Sequence, residues 1–230
     1  MIDEAVILAG GFGSRLKDVV ADVPKPMAPV RNRPFLEYQL NHLIDSGISH
    51  IILSTGFKSE IIENYFGNKY MSLNISYSVE DTPLGTGGAI LMASKQVAGE
   101  SFFVLNGDTL FYADLKQMES FHSMNNADIT IAARLVDDSS RYGNLIIDSS
   151  GRVSEFVEKK DAANKGLVNG GIYLISKKAL DNFQTKNVFS FENDLLATGT
   201  SVLKIFALGS EGYFIDIGTP GDYLKAQNEL

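Results

Sequence analysis

The 230-residue sequence contains no cysteine. This absence excludes disulfide bonds, thiolate catalysis and a cysteine-ligated zinc site. Long apolar runs are missing too, and none approaches the length of a membrane span. The N-terminus carries Asp3 and Glu4 instead of the basic region that begins a secretory signal. We therefore expect a cytoplasmic chain with no association with a membrane.

Positive charge is also scarce. There are 20 lysine and arginine residues against 28 aspartate and glutamate residues, which gives a formal net charge of -8. A broad basic face that binds nucleic acid is therefore not expected. If so acidic a chain binds a polyanion, it must concentrate its few cations at one place or recruit a metal ion.

The order of apolar segments predicts the fold class. In the first half of the chain, strand-like segments alternate with amphipathic ones, which is typical of a mainly parallel sheet with helices on both faces. After about residue 126, strands follow one another with few helices between them, and this predicts a small antiparallel extension. We expect a single Rossmann-like α/β domain over residues 1–230, with a mixed, mainly parallel sheet. The expected strands are Ala5–Ala9, His50–Ser54, Leu73–Val79, Phe102–Leu105, Asp128–Val136, Asn144–Asp148, Arg152–Val157, Gly170–Ile175 and Tyr213–Ile217. The expected helices are Phe35–Ile44, Ile61–Phe66, Ala89–Val97, Lys177–Phe183, Phe191–Leu196 and a last one that Thr219 caps.

A glycine-rich turn follows the first apolar segment. Gly10, Gly11 and Gly13 are followed by Ser14 and Arg15. Glycine lets backbone N–H groups approach a ligand closely, and successive N–H groups form a concave anion site. A guanidinium next to that turn suits phosphate oxygens. The pattern is neither the dinucleotide fingerprint nor the P-loop, and the alternative is a plain turn that closes a strand.

Polar or glycine-rich loops come after three of the predicted parallel strands. They span residues 10–15, 80–89 and 106–108. Ligands of open α/β sheets bind at the carboxyl ends of the strands, so these loops are expected to share one crevice.

Two aspartates are candidate metal ligands. Asp108 follows a buried strand in Asn106-Gly107-Asp108, where a carboxylate suits Mg²⁺. The alternative is an Asn-Gly turn in which Asp108 caps the next element. Asp216 lies inside an otherwise apolar strand, where a charge is costly unless it is paired or binds a metal. We favour the functional interpretation for Asp216.

Two lysines are candidate phosphate ligands. Lys25 lies between Pro24 and Pro26, which stiffen its backbone. Lys159 ends an alternating strand beside Glu158. The alternatives are an exposed lysine in a proline-rich loop and a solvated strand edge. The three histidines, His42, His50 and His122, lie away from these loops and are interpreted as structural or solvent-facing.

Seven motifs in this order resemble the sugar-1-phosphate nucleotidyltransferases, and within them the D-glycero-α-D-manno-heptose 1-phosphate guanylyltransferases. The resemblance covers essentially the whole catalytic domain and implies no C-terminal left-handed β-helix domain. One difference is Lys160, where many relatives have proline. The motifs are Gly10-Gly11-x-Gly13-Ser14-Arg15-Leu16, Pro24-Lys25-Pro26, Pro83-Leu84-Gly85-Thr86-Gly87-Gly88-Ala89, Asn106-Gly107-Asp108, Glu158-Lys159, Asn169-Gly170-Gly171 and Asp216-Ile217-Gly218-Thr219.

The resemblance implies roles for individual residues. Arg15 and Lys25 would be catalytic, because they stabilise charge on the transferring and leaving phosphates. Asp108 and Asp216 would ligate Mg²⁺. A homodimer is possible. The implied nucleotide-binding residues are Leu8, Ala9, Gly10, Gly11, Gly13, Ser14, Glu80, Gly85, Thr86 and Asp108, and the implied sugar-phosphate-binding residues are Gly143, Glu158, Lys159 and Asn169.

The implied substrates are a nucleoside triphosphate and a sugar 1-phosphate. The sugar phosphate is already ionised, so it needs no enzymic base, and catalysis consists mainly of positioning and charge neutralisation. Glu80 favours GTP, because a carboxylate only accepts hydrogen bonds and guanine offers two adjacent donors. The alternative is that Glu80 faces solvent. Other hypotheses are a mannose-1-phosphate guanylyltransferase, a uridylyltransferase acting on another sugar, and a catalytically silent nucleotide sensor.

Overall fold

The computed structural model describes residues 1–11, 20, 22–157, 164–183 and 187–230, with the backbone alone for Asn182. Within these ranges no helix is long and apolar enough to cross a membrane.

The described residues form fourteen strands. Ten of them make one mixed sheet in the order β11-β10-β12-β7-β1-β4-β6-β5, with β9 beside β12 and β13 beside β9. The strands are β1 (Glu4–Leu8), β2 (Pro29–Val30), β3 (Arg33–Pro34), β4 (His50–Thr55), β5 (Lys69–Tyr70), β6 (Leu73–Val79), β7 (Ser101–Asn106), β8 (Thr109–Phe111), β9 (Ile129–Val136), β10 (Asn144–Ile147), β11 (Val153–Val157), β12 (Gly166–Ser176), β13 (Ile205–Gly209) and β14 (Phe214–Asp216).

Helices cover both faces of this sheet. The α-helices are α1 (Phe35–Ser46), α2 (Ser59–Phe66), α3 (Gly85–Ala93), α4 (Leu115–Met124), α5 (Ala197–Gly199) and α6 (Pro220–Glu229). Shorter turns of 3₁₀-helix lie at Lys25–Met27, Ser94–Gln96 and Lys177–Phe183, and a π-helix spans Phe191–Leu196.

The parallel strands β7, β1, β4 and β6 lie at the centre of the fold. Neighbouring residues on β1 enter different cores, since Val6 packs with Ile90 of α3 while Ile7 packs with Leu40 of α1. Apolar side chains on both faces explain why this strand is a continuous apolar run in the sequence. The α/β class, with helices on both faces and an antiparallel extension, is confirmed.

Several expected boundaries were wrong. The helix predicted to begin at Ala89 begins at Gly85, so the glycines form its first turn instead of a loop. A side chain has no room there: a Cβ on Gly88 would lie 2.5 Å from the carbonyl oxygen of Asn187. The strand predicted to begin at Gly170 begins at Gly166 and continues through an irregularity in its pairing, where Gly171 has a φ of +73°.

The helices predicted at Lys177–Phe183 and Phe191–Leu196 are confirmed with the same bounds, the first as a 3₁₀-helix and the second as a π-helix. One prediction in the C-terminal third was wrong in its bounds. The predicted strand Tyr213–Ile217 is shorter, spans Phe214–Asp216 and pairs with β8 outside the main sheet. Asp216 is therefore the last residue of its strand, where the chain leaves the ladder and the carboxylate has space beside it.

Candidate active site

A cavity of about 740 Å³ opens at the carboxyl ends of the parallel strands. The loops after β1, β4, β6 and β7 all contribute to its wall, as the strand order predicts. The predicted residues that line it are Leu8, Ala9, Gly10, Gly11, Lys25, Glu80, Gly85, Thr86, Asp108 and Asp216.

The glycine turn lies against Glu80. A Cβ built on Gly10 would lie 2.9 Å from Oε1 of Glu80 and 3.3 Å from the backbone of Thr55, so a larger residue here would displace the Glu80 carboxylate. Oε2 of Glu80 accepts a hydrogen bond from the backbone N–H of Leu84, 2.9 Å away. Backbone bonding therefore fixes one carboxylate oxygen, while the other lies beside the turn in the cavity wall.

The two candidate metal ligands lie close together. The Thr109 hydroxyl is 3.3 Å from Oδ1 of Asp108 and 3.2 Å from Oδ2 of Asp216. Lys25 Nζ is 2.6 Å from the other oxygen of Asp108. Burial and the neighbouring charge of Asp108 raise the pKa of Asp216, although Lys25 opposes this shift. Within the part of the chain that the structure describes, the site therefore concentrates two carboxylates and one ammonium group.

This arrangement fits Mg²⁺. The donor groups are hard oxygens, one from the turn between β7 and β8 and one from the end of β14, and burial of Asp216 makes its negative charge costly unless a cation is near. Among the described residues there is no cluster of three or more acidic or histidine side chains. Two carboxylates suffice for Mg²⁺, which usually takes one or two protein carboxylates and completes its shell with water and phosphate oxygens.

A buried glutamine holds the loop that carries Asp108. Gln39 lies on α1 and is 1% exposed. Its Nε2 donates to the carbonyl oxygens of Asn106 and Thr109, both 2.7 Å away. These carbonyls flank Gly107 and Asp108, so Gln39 fixes both ends of the turn. The sequence contained a signal for this role, because Gln39 is a polar residue on the buried face of an otherwise apolar helix stripe.

A second cavity of about 510 Å³ adjoins the first, and Asn106, Asp216, Gly218 and Glu192 line both. Gly143 and Asn169, two of the predicted sugar-phosphate-binding residues, also line the second cavity. The Gly143 carbonyl accepts from the backbone N–H of Asn169 at 2.9 Å. A Cβ on Gly143 would lie 2.5 Å from the Phe156 ring, so a larger residue has no room at this position.

Three neutral side chains and one carboxylate connect the two cavities. Thr86 Oγ1 donates to Oε2 of Glu192 at 3.0 Å, and the Tyr173 hydroxyl donates to Oε1 at 3.2 Å. Nδ2 of Asn169 donates to the Tyr173 hydroxyl at 2.7 Å. Neither Glu192 nor Tyr173 was predicted from the sequence, because no motif marks an acidic residue that only the tertiary fold brings to the cavity.

Five predicted site residues lie outside the described residues. They are Gly13, Ser14, Arg15, Glu158 and Lys159, and Lys160 lies outside them as well.

The histidines lie elsewhere, as expected. His50 contacts Glu4 and Ser76, and the buried His122 contacts Thr130 and Ser176. His42 packs against the ring of Tyr112. None of the three histidines lines either cavity.

The protein is an α/β protein whose sheet is covered by helices on both faces and has a crevice at the carboxyl ends of its strands. A glycine turn and a carboxylate pair beside a lysine line this crevice, and these groups suit an anionic ligand. The chain belongs to the nucleotidyl transferase family, whose model matches residues 4–230.

Full-length relatives are found among curated proteins. The chain is 46% identical to D-glycero-alpha-D-manno-heptose 1-phosphate guanylyltransferase of Aneurinibacillus thermoaerophilus, over 99% of this chain and 98% of that protein. It is 42% identical to the Campylobacter jejuni protein of the same name, over 96% of each. It is also 35% identical to mannose-1-phosphate guanylyltransferase of Mycobacterium tuberculosis, over 99% of this chain but 64% of that protein.

The fold matches solved structures. HddC from Yersinia pseudotuberculosis superposes with a TM-score of 0.88 at 38% identity, over 99% of both chains. The same protein complexed with GMP-PN gives a TM-score of 0.87 at 39% identity, again over 99% of both chains.

Proposed function

We propose that this chain transfers GMP from GTP to D-glycero-α-D-manno-heptose 1-phosphate, with release of pyrophosphate. The observation that carries the proposal is the match, over nearly the full length of each partner, to two heptose 1-phosphate guanylyltransferases. The two adjoining cavities support it, because the reaction needs a nucleotide and a second anionic substrate side by side.

The reaction is an in-line displacement. A phosphate oxygen of the sugar 1-phosphate forms a bond to the α-phosphorus of GTP, while the bond to the bridging oxygen breaks and pyrophosphate leaves with the electron pair. The nucleophile is already ionised, so the enzyme holds the two anions together and offsets their repulsion. Lys25, 14% exposed at its side chain, lines the first cavity and would balance phosphate charge there.

The remaining roles follow the same division. The backbone of Leu8–Gly11 and the carboxylate of Glu80 would hold the base and ribose, and Gly85 and Thr86 the far side of the nucleotide. Gly143 and Asn169 would hold the sugar. Gly13, Ser14 and Arg15 are proposed for the triphosphate, and Glu158 and Lys159 for the sugar and its phosphate.

Asp108 and Asp216 would hold Mg²⁺. When bound, this ion supplies positive charge to phosphate oxygens. Such a role explains why two carboxylates lie together at a place where the substrates are themselves anions. With Lys25 and both carboxylates present, the chain retains reacting-centre charges that a silent nucleotide sensor would not need.

The test is pyrophosphate release with purified protein and Mg²⁺. GTP, UTP, dTTP, CTP and ATP are each paired with the heptose, mannose and glucose 1-phosphates. GTP with the heptose 1-phosphate is expected to give the largest kcat/KM. Preference for mannose 1-phosphate would instead favour the activity of the more distant mannose relatives, and turnover with UTP alone would contradict the proposal.

The basis of nucleotide choice has its own test. Glu80→Gln replaces one acceptor by a donor, so the ratio of kcat/KM for GTP over UTP should fall about 10-fold or more. Asp81→Asn in the same loop is the matched control and should leave the ratio unchanged. If the GTP preference survives Glu80→Gln, backbone groups read the base.

A further inference from the structure

We propose that Glu192 determines specificity for the sugar by accepting hydrogen bonds from hydroxyl groups of the sugar 1-phosphate. This inference rests on the proposed function and adds a residue that no sequence motif marks. Glu192 lies in the π-helix and lines both cavities, at the junction where the sugar must sit if its phosphate is to reach the nucleotide.

The orientation of the carboxylate is fixed before a substrate arrives. Each oxygen receives one hydrogen bond from a neutral hydroxyl, Oε2 from Thr86 at 3.0 Å and Oε1 from Tyr173 at 3.2 Å. Thr86 Oγ1 in turn accepts from the backbone N–H of Phe191 at 2.8 Å, so α3 and the π-helix hold each other. An ionised carboxylate has about four acceptor positions, so both oxygens keep capacity for a ligand.

The charge at this position selects the kind of group that it binds. Glu192 takes part in none of the ion pairs found among the described residues, so its negative charge faces the cavity without a lysine or arginine partner there. A carboxylate repels phosphate and attracts hydroxyl donors. It therefore turns the hydroxyl-bearing side of the sugar toward the π-helix, and the phosphate toward Lys25 and the other cavity.

The network also couples Glu192 to a sugar subsite residue. Tyr173 is fully buried, and its hydroxyl lies between Asn169 and Glu192. Oδ1 of Asn169 accepts from the backbone N–H of Gly171 at 3.0 Å, which fixes the amide group as well. Asn169 and Glu192 therefore present a rigid donor and a rigid acceptor to the same cavity, which is the arrangement that discriminates between sugar hydroxyl configurations.

A ribose hydroxyl of the nucleotide is the other group that would donate such a hydrogen bond to Glu192. The sugar is favoured because Ser190 and Asn193, within two residues of Glu192 in the chain, line the second cavity alone. The glycine turn, by contrast, lines the first cavity alone. The carboxylate thus belongs to a polar wall that continues away from the nucleotide side.

The experiment compares steady-state constants of wild type and Glu192→Gln. The variant keeps the shape of the side chain but loses its charge and one acceptor, so KM for the sugar 1-phosphate should rise about 10- to 100-fold. KM for GTP should stay unchanged. A deoxy sugar 1-phosphate that lacks the bound hydroxyl should lose affinity for wild type but not for the variant. Tyr173→Phe, which removes only the hydroxyl that orients Glu192, should shift the sugar KM in the same direction by a smaller factor.

Asp194→Asn is the matched control. Asp194 lies in the same π-helix and accepts from the backbone N–H of Ser190 at 2.7 Å, but it lines neither cavity. It should lower the melting temperature without changing the sugar KM. An equal rise of the sugar KM in Asp194→Asn and Glu192→Gln would mean that Glu192 acts only by stabilising this turn, and would overturn the inference.

The remaining outcomes separate this inference from the proposed function. If wild type turns over and Glu192→Gln has an unchanged sugar KM, the specificity role fails alone. If the variant instead raises KM for GTP, and 2′-deoxyGTP shows the same loss with wild type, the carboxylate binds ribose and the inference fails. If wild type releases no pyrophosphate with any pair, the proposed function fails. Calorimetric binding of the sugar 1-phosphate then decides: weaker binding by the variant supports the inference, and equal or absent binding overturns it.

Discussion

The two halves of the cleft are built differently. The first cavity, which we propose as the nucleotide side, is formed mainly by loops that follow the parallel strands β1, β4, β6 and β7. The second cavity, proposed as the sugar side, takes its residues mainly from β12, the segment before β10, the end of β14 and the π-helix. The carboxyl ends of parallel strands lie at the same edge of a sheet, so the strand direction alone brings their loops together. Antiparallel strands end at alternate edges, and the residues that meet there depend on register and irregularities in pairing.

The comparison teaches that the junction of the two halves matters most. Asp216 comes from a short strand outside the main sheet and lines both cavities, whereas Asp108 belongs to the nucleotide side alone. A change to Asp216 should therefore affect both substrates, and a change to a residue that lines one cavity should affect only one. The predictions below test this division in order of decreasing effect on turnover.

Asp216→Asn should reduce kcat by about 10²- to 10³-fold, the effect of removing one strong electrostatic group from a reacting centre. Burial and Asp108 disfavour the charge of Asp216 in the folded protein, so loss of that charge should not lower the melting temperature. Asp137→Asn, at a side chain that is 98% exposed, is the control. Full activity in Asp216→Asn would remove Asp216 from the proposed metal site.

Lys25→Ala should reduce kcat about 10²-fold, because it removes the only ammonium group found within hydrogen-bonding distance of Asp108 among the described residues. Steady-state rates at saturating concentrations of both substrates measure this effect. Lys165→Ala, an exposed lysine with a loose 3.8 Å ion pair, should leave kcat unchanged. If Lys25→Ala raises only a KM, the lysine binds substrate without acting in the transition state.

Gln39→Met should reduce kcat about 10-fold, although Gln39 lines neither cavity. The variant keeps the length of the side chain but leaves the carbonyls of Asn106 and Thr109 without their donor, which costs about 1 to 3 kcal/mol of folding free energy. In Mg²⁺ titrations of activity, the variant should need a higher Mg²⁺ concentration for half-maximal activity, because the loosened turn holds Asp108 less firmly. Asn41→Ala on the same helix, where the side chain accepts one long 3.4 Å bond, is the comparison; equal losses in both variants would point to a general effect on α1.

Glu4 is the first residue of β1 and lies at the amino ends of the parallel strands, away from the cavities. Glu4→Gln should therefore change stability but not turnover. The Glu4 carboxylate accepts from the backbone N–H of Gly99 at 2.7 Å and of Ala98 at 2.9 Å, and contacts His50. Burial by itself raises the pKa of Glu4, but the bonds from Gly99, His50 and Ala98 outweigh it and set the pKa below 4.5.

A depressed carboxyl pKa fixes the direction of the pH effect. The ionised form is favoured in the folded state, so the stabilisation is present above pH 4.5 and is lost as the pH falls through the folded pKa. Urea unfolding near neutral pH and at low pH should show a loss of about 1 to 2 kcal/mol for wild type that Glu4→Gln does not share. Parallel pH profiles for both proteins would contradict this assignment.

Much of the fold and the nucleotide side could be predicted from the sequence. Gly10, Gly11 and Asp108 all lie at the carboxyl ends of the parallel strands, where strand order and glycine usage indicated. The predicted start of α3 was wrong because glycines usually indicate a loop. In the structure, the glycines of the first turn of α3 leave space for the chain near Phe189. The network through Glu192 left no local signal, since its members lie far apart in the sequence and their bonding depends on how β12 and the π-helix pack.

By itself the sequence determined the alternation of strands and helices, the loops at the carboxyl edge and the types of charge available there. These features follow from periodicity and from the conformational freedom of glycine, which are properties of a few neighbouring residues. The tertiary structure alone decided that Thr109 lies between two aspartates, that Gln39 holds the Asp108 turn and that Glu192 faces both cavities. Each of these depends on contacts between segments distant in the chain, and no local pattern fixes the distance between such segments.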